Sequence, residues 1–183
     1  MSFDPKEQHR RSTRLAGYDY RESGAYFVTV CAAHKRPVFG HIENGAMRCN
    51  PYGSIVIEEW ARTETLRANV VLDEFVVMPN HFHAIVIFKH NGDTNVGAQR
   101  AAPLQGATPN NVAAQSLGAV VCAFKSAVTR RINAHRSERG LAPVVVWQRN
   151  YYERIIRDET ELNQTRRYIF ENPQNWDTDA EHP

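Results

Sequence analysis

The stretch VVLDEFVVMPNHFHAIVIF, residues 70–88, decides how the chain is read. Its two halves are rich in β-branched and aromatic residues and are separated by Met78, Pro79 and Asn80. Pro79 ends the first run, so the two halves read as neighbouring antiparallel strands. In the second half, alternation sends His81, His83, Ile85 and Ile87 to one face and Phe82, Ala84 and Val86 to the other. The strand is apolar on both faces except where the histidines stand.

Working outward, AYFVTVCA from Ala25 alternates in the same way and reads as another buried strand. VFGHI and AMRC flank Glu43-Asn44-Gly45, a hairpin signal. Across 51–69, Tyr52, Ile55, Val56, Glu59 and Trp60 recur at helical spacing, giving an apolar stripe with one charged member. Leu117, Val120, Val121, Phe124, Val128 and Ile132 mark a second amphipathic helix. VVVWQRNYYERIIRD reads as a strand with its connection, and a last helix is expected over about 158–172, with Asp158 as N-cap and Pro173 after it. The order β-α-β-β-α-β plus a terminal helix predicts an α+β, ferredoxin-like split βαβ fold: an antiparallel sheet with helices on one face and an added C-terminal helix.

The length fits one domain over 25–176, preceded by a basic arm (1–24) and followed by an acidic tail (177–183). Residues 91–115 hold Gly, Ala, Asn, Gln, Thr and Pro with almost no large apolar side chain, and read as a flexible insertion. Cys31, Cys49 and Cys122 form neither a ligand pair nor a disulfide framework, which suits a reducing compartment. No apolar run is long enough to span a bilayer and no signal-peptide core follows the N-terminus, so a cytoplasmic protein is expected. Net charge is +2, but basic side chains outnumber acidic ones about two to one over 121–167. Such an excess suits a phosphate-binding surface and equally a solvated helix face.

His81 and His83 leave one strand face about 6.5 Å apart at the backbone, close enough to converge on a cation. Hydrogen-bonded core histidines account for a bare His-x-His at least as well. The last helix adds to it: Tyr168 and Asn172 lie one turn apart beside the Leu162–Ile169 stripe, where a helix laid on the sheet would present them to the histidines. An Asn carbonyl oxygen would complete a mixed N,O site for Mg²⁺ or Mn²⁺. A phenol is a weak nucleophile at neutral pH and needs an activated target. Tyr151 and Tyr152 are rival tyrosines that lack a polar partner at i+4.

MPNHFHAIVIF resembles the metal-binding motif of HUH nucleases, two histidines around one bulky apolar residue. WQRNYYERIIRDETELNQTRRYIFENPQNW resembles the C-terminal signature of the REP-associated tyrosine transposases, of the single-tyrosine, insertion-sequence-200-like superfamily. RRSTRLAGYDYRESGAYFVTVCA and SLGAVVCAFKSAVTRRIN are also similar to that family, so the likeness covers most of the chain outside 91–115 and the extreme ends.

The resemblance implies an enzyme that nicks and rejoins single-stranded, hairpin-forming DNA, of the repeated extragenic palindrome type, through a 5′-phosphotyrosine. Carried over by position, Tyr168 would be the nucleophile, and His81, His83 and Asn172 would hold a divalent cation (Mg²⁺ or Mn²⁺), with no organic cofactor. Arg10, Arg11, Arg14, Arg130, Arg131 and Arg149 are the expected DNA contacts, with Tyr18 or Tyr20 as stacking aromatics. A catalytically silent hairpin-binding protein and another HUH enzyme, such as a replication initiator, are the alternatives. A homodimer is left open beside a monomer.

Overall fold

A computed structural model describes residues 24–89 and 116–182. The arm with Arg10, Arg11, Arg14, Tyr18 and Tyr20, and the 91–115 insertion, lie outside the described residues. The described elements are β1 (Gly24–Cys31), β2 (Gly40–Glu43), β3 (Ala46–Cys49), α1 (Pro51–Leu66), β4 (Val70–Val77), β5 (His81–Phe88), α2 (Leu117–Ser137), β6 (Tyr152–Ile156) and α3 (Glu159–Glu171), with short 3₁₀ segments at Ala33–Lys35 and Asn172–Thr178.

Local chemistry accounts for most boundaries. In the β2–β3 turn Asn44 (φ 51°) and Gly45 (φ 70°) both take left-handed backbone, which the Asn-Gly pair tolerates. Asn50 caps α1, its Oδ1 accepting from Tyr52 N (2.9 Å) and Gly53 N (3.1 Å), with Pro51 opening the helix. Asp158 caps α3 through Glu161 N at 2.8 Å, and the Glu161 carboxylate accepts from Arg157 N at 2.9 Å. Asn172 ends α3 one residue earlier than expected, and the chain tightens into the 3₁₀ segment at Pro173.

Four strands form one antiparallel sheet in the order β4-β5-β1-β6, and β2-β3 stands apart as a hairpin. With the hairpin set aside, this is the split βαβ arrangement the sequence predicts. Strand alternation divides the sheet into two working faces. Tyr26, Val28, Val30, Phe82, Ala84 and Val86 point to the face covered by α1 and α2, where Trp60 and Phe124 pack on Phe82 with ring centroids 4.9 and 5.1 Å away. Phe27, Ile85 and Ile156 point the other way, onto Ile169 of α3. The terminal helix thus covers the face opposite α1 and α2, the face on which His81 and His83 emerge.

A bulge in β4 between Leu72 and Phe75 fixes α3 in place. Asp73, within it, receives a two-pronged bond from Arg166, Nε to Oδ1 at 2.8 Å and Nη2 to Oδ2 at 2.6 Å. On its other flank, Arg154 of β6 reaches Thr165 Oγ1 at 3.1 Å.

Two stability outcomes follow. Phe82→Ala empties the contact between Trp60 and Phe124 and is expected to cost about 3–5 kcal/mol in urea unfolding. The Arg166 guanidinium holds the Asp73 carboxyl below its ordinary value. The folded pKa is depressed, so this stabilisation is present above the unfolded carboxyl pKa and is lost as pH falls through the folded one. Asp73→Asn should therefore lower stability at neutral pH by about 1 kcal/mol, with the gap from wild type closing in acid below the ordinary carboxylate range.

Candidate active site

Three elements meet at one end of the sheet. β5 supplies His81 and His83, both buried, with ring centroids 4.4 Å apart. β1 supplies Thr29, the register partner of His83, and Cys31, the register partner of His81. α3 supplies Tyr168, and its end supplies the buried Asn172.

Each imidazole is held by one nitrogen. His83 Nδ1 lies 2.8 Å from Thr29 Oγ1 and His81 Nδ1 lies 2.8 Å from Asn80 Oδ1. An amide oxygen only accepts, so His81 carries its proton on Nδ1 and its Nε2 is a lone pair. That Nε2 is buried without a hydrogen-bond partner. The matching assignment for His83 has Nδ1–H donating to Thr29, leaving Nε2 to face the Tyr168 hydroxyl at 3.3 Å. Asn80 is itself fixed, its Nδ2 donating to Lys35 O (3.2 Å) and Glu181 O (2.7 Å). Phe27 stacks on His83 at 5.1 Å and closes the wall.

Asn172 Nδ2 donates to Asp179 Oδ2 at 2.8 Å, while its Oδ1 is buried and unpartnered. The Tyr168 hydroxyl also reaches Asp179 Oδ2, at 3.4 Å. Ligand atoms of His81, His83 and Asp179 lie within 4.8 Å of one another. Asp179 comes from the segment read in the sequence as an acidic tail, which folds back over the site. Glu181 N donates to Asp179 Oδ1 (2.6 Å), and Glu181 pairs with Lys35 (3.1 Å) and accepts from Cys31 Sγ (3.3 Å).

Burial governs the protonation of the cluster. It holds both imidazoles below the usual histidine value, for His81 against the opposing charges of Asp179 and Glu181, and for His83 with the neighbouring imidazole adding to the depression. Both are thus neutral at pH 7. Burial and then the Asp179 carboxylate push the Tyr168 phenol up to about 12. Burial and Glu181 push the Cys31 thiol up to about 12, so it stays a thiol.

The structure therefore brings His81, His83, Tyr168 and Asn172 together within one chain, and adds Asp179. Two buried, unshared lone pairs, on His81 Nε2 and Asn172 Oδ1, beside a third on His83 Nε2 and a carboxylate, make a donor set suited to a divalent cation. Of the rival tyrosines, Tyr152 stands on the histidine face but opposite Thr29, one strand further from His83. Tyr151 packs against the other core. Arg131 is engaged by Glu58 and Glu59 of α1, whereas Arg130 and Arg149 line a groove between α2 and 144–149. No helix among the described residues is long and apolar enough to cross a membrane.

No protein-family model matches the chain. In three dimensions it is similar to a REP-associated tyrosine transposase solved with a REP hairpin, with a TM-score of 0.55 and 16% identity, over 89% of this chain and 73% of that one. That likeness establishes a transposase fold. In sequence it is 42% identical over 176 residues, 93% of its length, to a Haemophilus influenzae protein described as uncharacterized, of which the match covers 92%. With near full-length identity of that order, the chain belongs to the family of this Haemophilus influenzae protein and carries the transposase fold.

Proposed function

We propose that this protein is a tyrosine HUH nuclease that nicks and rejoins single-stranded DNA at hairpin-forming repeats. The observation that carries the reading is the Tyr168 hydroxyl 3.3 Å from His83 Nε2, beside the unpartnered lone pairs of His81 and Asn172. A structure of the same fold holds a REP hairpin, which supports hairpin DNA as the substrate class.

His81, His83 and Asn172 would hold Mg²⁺ or Mn²⁺, with Asp179 within reach of the same position. Such a cation supplies charge stabilisation for a phosphate under attack and lowers the cost of forming a phenolate beside Asp179. The residues of the chain do the rest. Thr29 and Asn80 fix the two rings so that both Nε2 atoms point into the site, that of His81 unpartnered and that of His83 facing the Tyr168 hydroxyl. Phe27 lies edge-on to the Tyr168 ring at 6.0 Å and His83 at 5.3 Å, while the neighbouring Ile169 anchors the helix that carries Tyr168 in the core. Tyr168 Oη forms a bond to phosphorus, the bond from phosphorus to the 3′ oxygen breaks, and that oxygen leaves as a 3′ hydroxyl after taking a proton from water. The phenolic proton departs toward Asp179 Oδ2, the acceptor 3.4 Å away. The phosphotyrosine keeps the energy of the phosphodiester, so an incoming 3′ hydroxyl can reverse the sequence and join strands without ATP.

A second reading, a hairpin-binding protein that does not cut, draws on the Asp179 carboxylate, which stands close to where a phosphate would bring its own negative charge. A labelled hairpin oligonucleotide incubated with Mn²⁺ or Mg²⁺ and resolved by denaturing electrophoresis separates the two. Wild type is expected to form a covalent adduct, and Tyr168→Phe should abolish it with binding retained. His81→Ala and His83→Ala should each lose Mn²⁺ binding by calorimetry as well as the adduct, a drop of at least about 100-fold. An adduct that survives in Tyr168→Phe would sink the assignment of the nucleophile, and a wild type that binds hairpins without forming one would favour the non-cutting reading.

A further inference from the structure

On the far side of α2 from its core stripe, the segment 144–149 runs alongside the helix and encloses a groove of about 540 Å³. We propose that this groove is a subsite for the single-stranded DNA flanking the scissile phosphate, with a phosphodiester between Arg130 and Arg149 and a base lying against Val145. The proposal rests on the DNA-nicking reading above and assigns that strand a path.

Charge is the first support. Lys125, Arg130 and Arg149 line the groove and no carboxylate does. Arg130 and Arg149 are exposed, and their guanidinium groups make no hydrogen bond or ion pair with any described residue, unlike Arg131, which Glu58 and Glu59 neutralise. The Lys125 ammonium donates to the backbone oxygens of Gln148 (2.6 Å), Arg149 (3.1 Å) and Asn150 (3.3 Å). Carbonyl dipoles solvate that charge without cancelling it, so the groove keeps a positive potential.

Preorganisation is the second. At one end Asn133 and Val144 exchange two bonds, Nδ2 to the Val144 carbonyl (3.1 Å) and the Val144 N–H to Oδ1 (2.9 Å). At the other end Lys125 clamps 148–150. The wall is thus tied to α2 at both ends, and a ligand need not order it. The apolar surface is the third support: Val145 is 77% exposed beside Trp147, whose indole N–H is buried without a hydrogen-bond partner. Aliphatic surface next to guanidinium groups suits a nucleotide, which offers a flat base and an anionic link. The volume is within the range of about 300–1,000 Å³ typical of small-ligand pockets.

Continuity with the active site is the fourth. Gln148 N donates to Cys31 O (2.9 Å) and Trp147 bridges to Ala32, so the wall is laced to the end of β1 that pairs with His81. Three residues beyond Arg149 the chain enters β6 with Tyr152, half-exposed and opposite the Thr29 that holds His83. The groove and the histidine site thus share the β1 end as a common support.

The test is fluorescence anisotropy with a fluorescein-labelled oligothymidine of about a dozen nucleotides, titrated at several salt concentrations against wild type, Arg130→Gln/Arg149→Gln and Val145→Asp. All three positions are exposed, and matching thermal melting curves control for folding. The double variant should bind about ten-fold more weakly, and the slope of log K against log salt should fall by about 1.4, or 0.7 for each phosphate that is no longer neutralised. Val145→Asp should weaken binding with both arginines intact, and hydrogen exchange across 144–149 should slow when the oligonucleotide is added. If wild type binds and forms its Tyr168 adduct while the double variant keeps its affinity within about two-fold and its slope, or while exchange at 144–149 is unchanged, the groove is overturned and the DNA-nicking reading stands. If wild type binds no oligothymidine but still forms its Tyr168 adduct with the hairpin oligonucleotide, the groove alone is overturned; if it forms no adduct either, both fall.

Discussion

Thr29 and Asn80 each hold one nitrogen of a buried imidazole at 2.8 Å, and the rest of the site depends on those two bonds. A buried histidine that is not needed chemically would use both nitrogens, because an unpartnered polar atom away from water costs about 1–3 kcal/mol. Here only one nitrogen of His81 is satisfied within the protein. Asn172 Oδ1 is a second buried acceptor without a hydrogen-bond partner, and Asn172 favours a charged His81 against the effect of burial, so a proton or a cation would suit both atoms where a second lone pair does not. What the pair lacks is positive charge.

The sheet lets the fold tolerate this arrangement by dividing labour between its faces. The core under α1 and α2 holds Trp60, Phe82, Phe124 and the β-branched residues of β1 and β5, and involves neither histidine. The smaller core under α3 is little more than Phe27, Ile85, Ile156 and Ile169. Apolar burial is thus the smaller part of what holds that helix. Polar attachments at both flanks, Arg166 on Asp73 and Arg154 on Thr165, set the position instead. The bulge in β4 that turns Asp73 toward the helix thus belongs to the positioning of Tyr168, although it lies on another strand.

Much of this was legible in the sequence. Period-two alternation in 81–88 put His81 and His83 on one face, and the i, i+4 spacing of Tyr168 and Asn172 put them on one helix flank, both as the structure has them. Those relations are local and follow from backbone geometry. Asp179 was not legible, since an acid in a short run of acids at the end of a chain looks like a solvated tail. The turn after Asn172, the Asn172–Asp179 bond, and the bonds that Cys31, Lys35 and Asn80 make to Glu181 from more than a hundred residues away bring it back. Arg131 likewise looked like its neighbour Arg130. Which of the two faces α1 depends on helix packing, and packing commits Arg131 to Glu58 and Glu59.

Charge counting then constrains how the site can work. Two neutral imidazoles, a neutral amide and a phenol bring no net charge, and Asp179 brings one negative charge. A phosphodiester adds a second. Two like charges about 5 Å apart repel by on the order of 3 kcal/mol at an effective dielectric near 20. The substrate would therefore be disfavoured by the carboxylate that also raises the Tyr168 pKa. On the proposed reading, a divalent cation held by the open donors would reverse both effects at once, since it would attract the phosphate and the carboxylate and favour phenolate over phenol. Without it, the same residues would repel a phosphodiester and keep the Tyr168 phenol protonated. DNA affinity at the site and reactivity of Tyr168 should rise together with metal occupancy, whereas the groove of Arg130 and Arg149, which has no carboxylate to neutralise, has no such requirement.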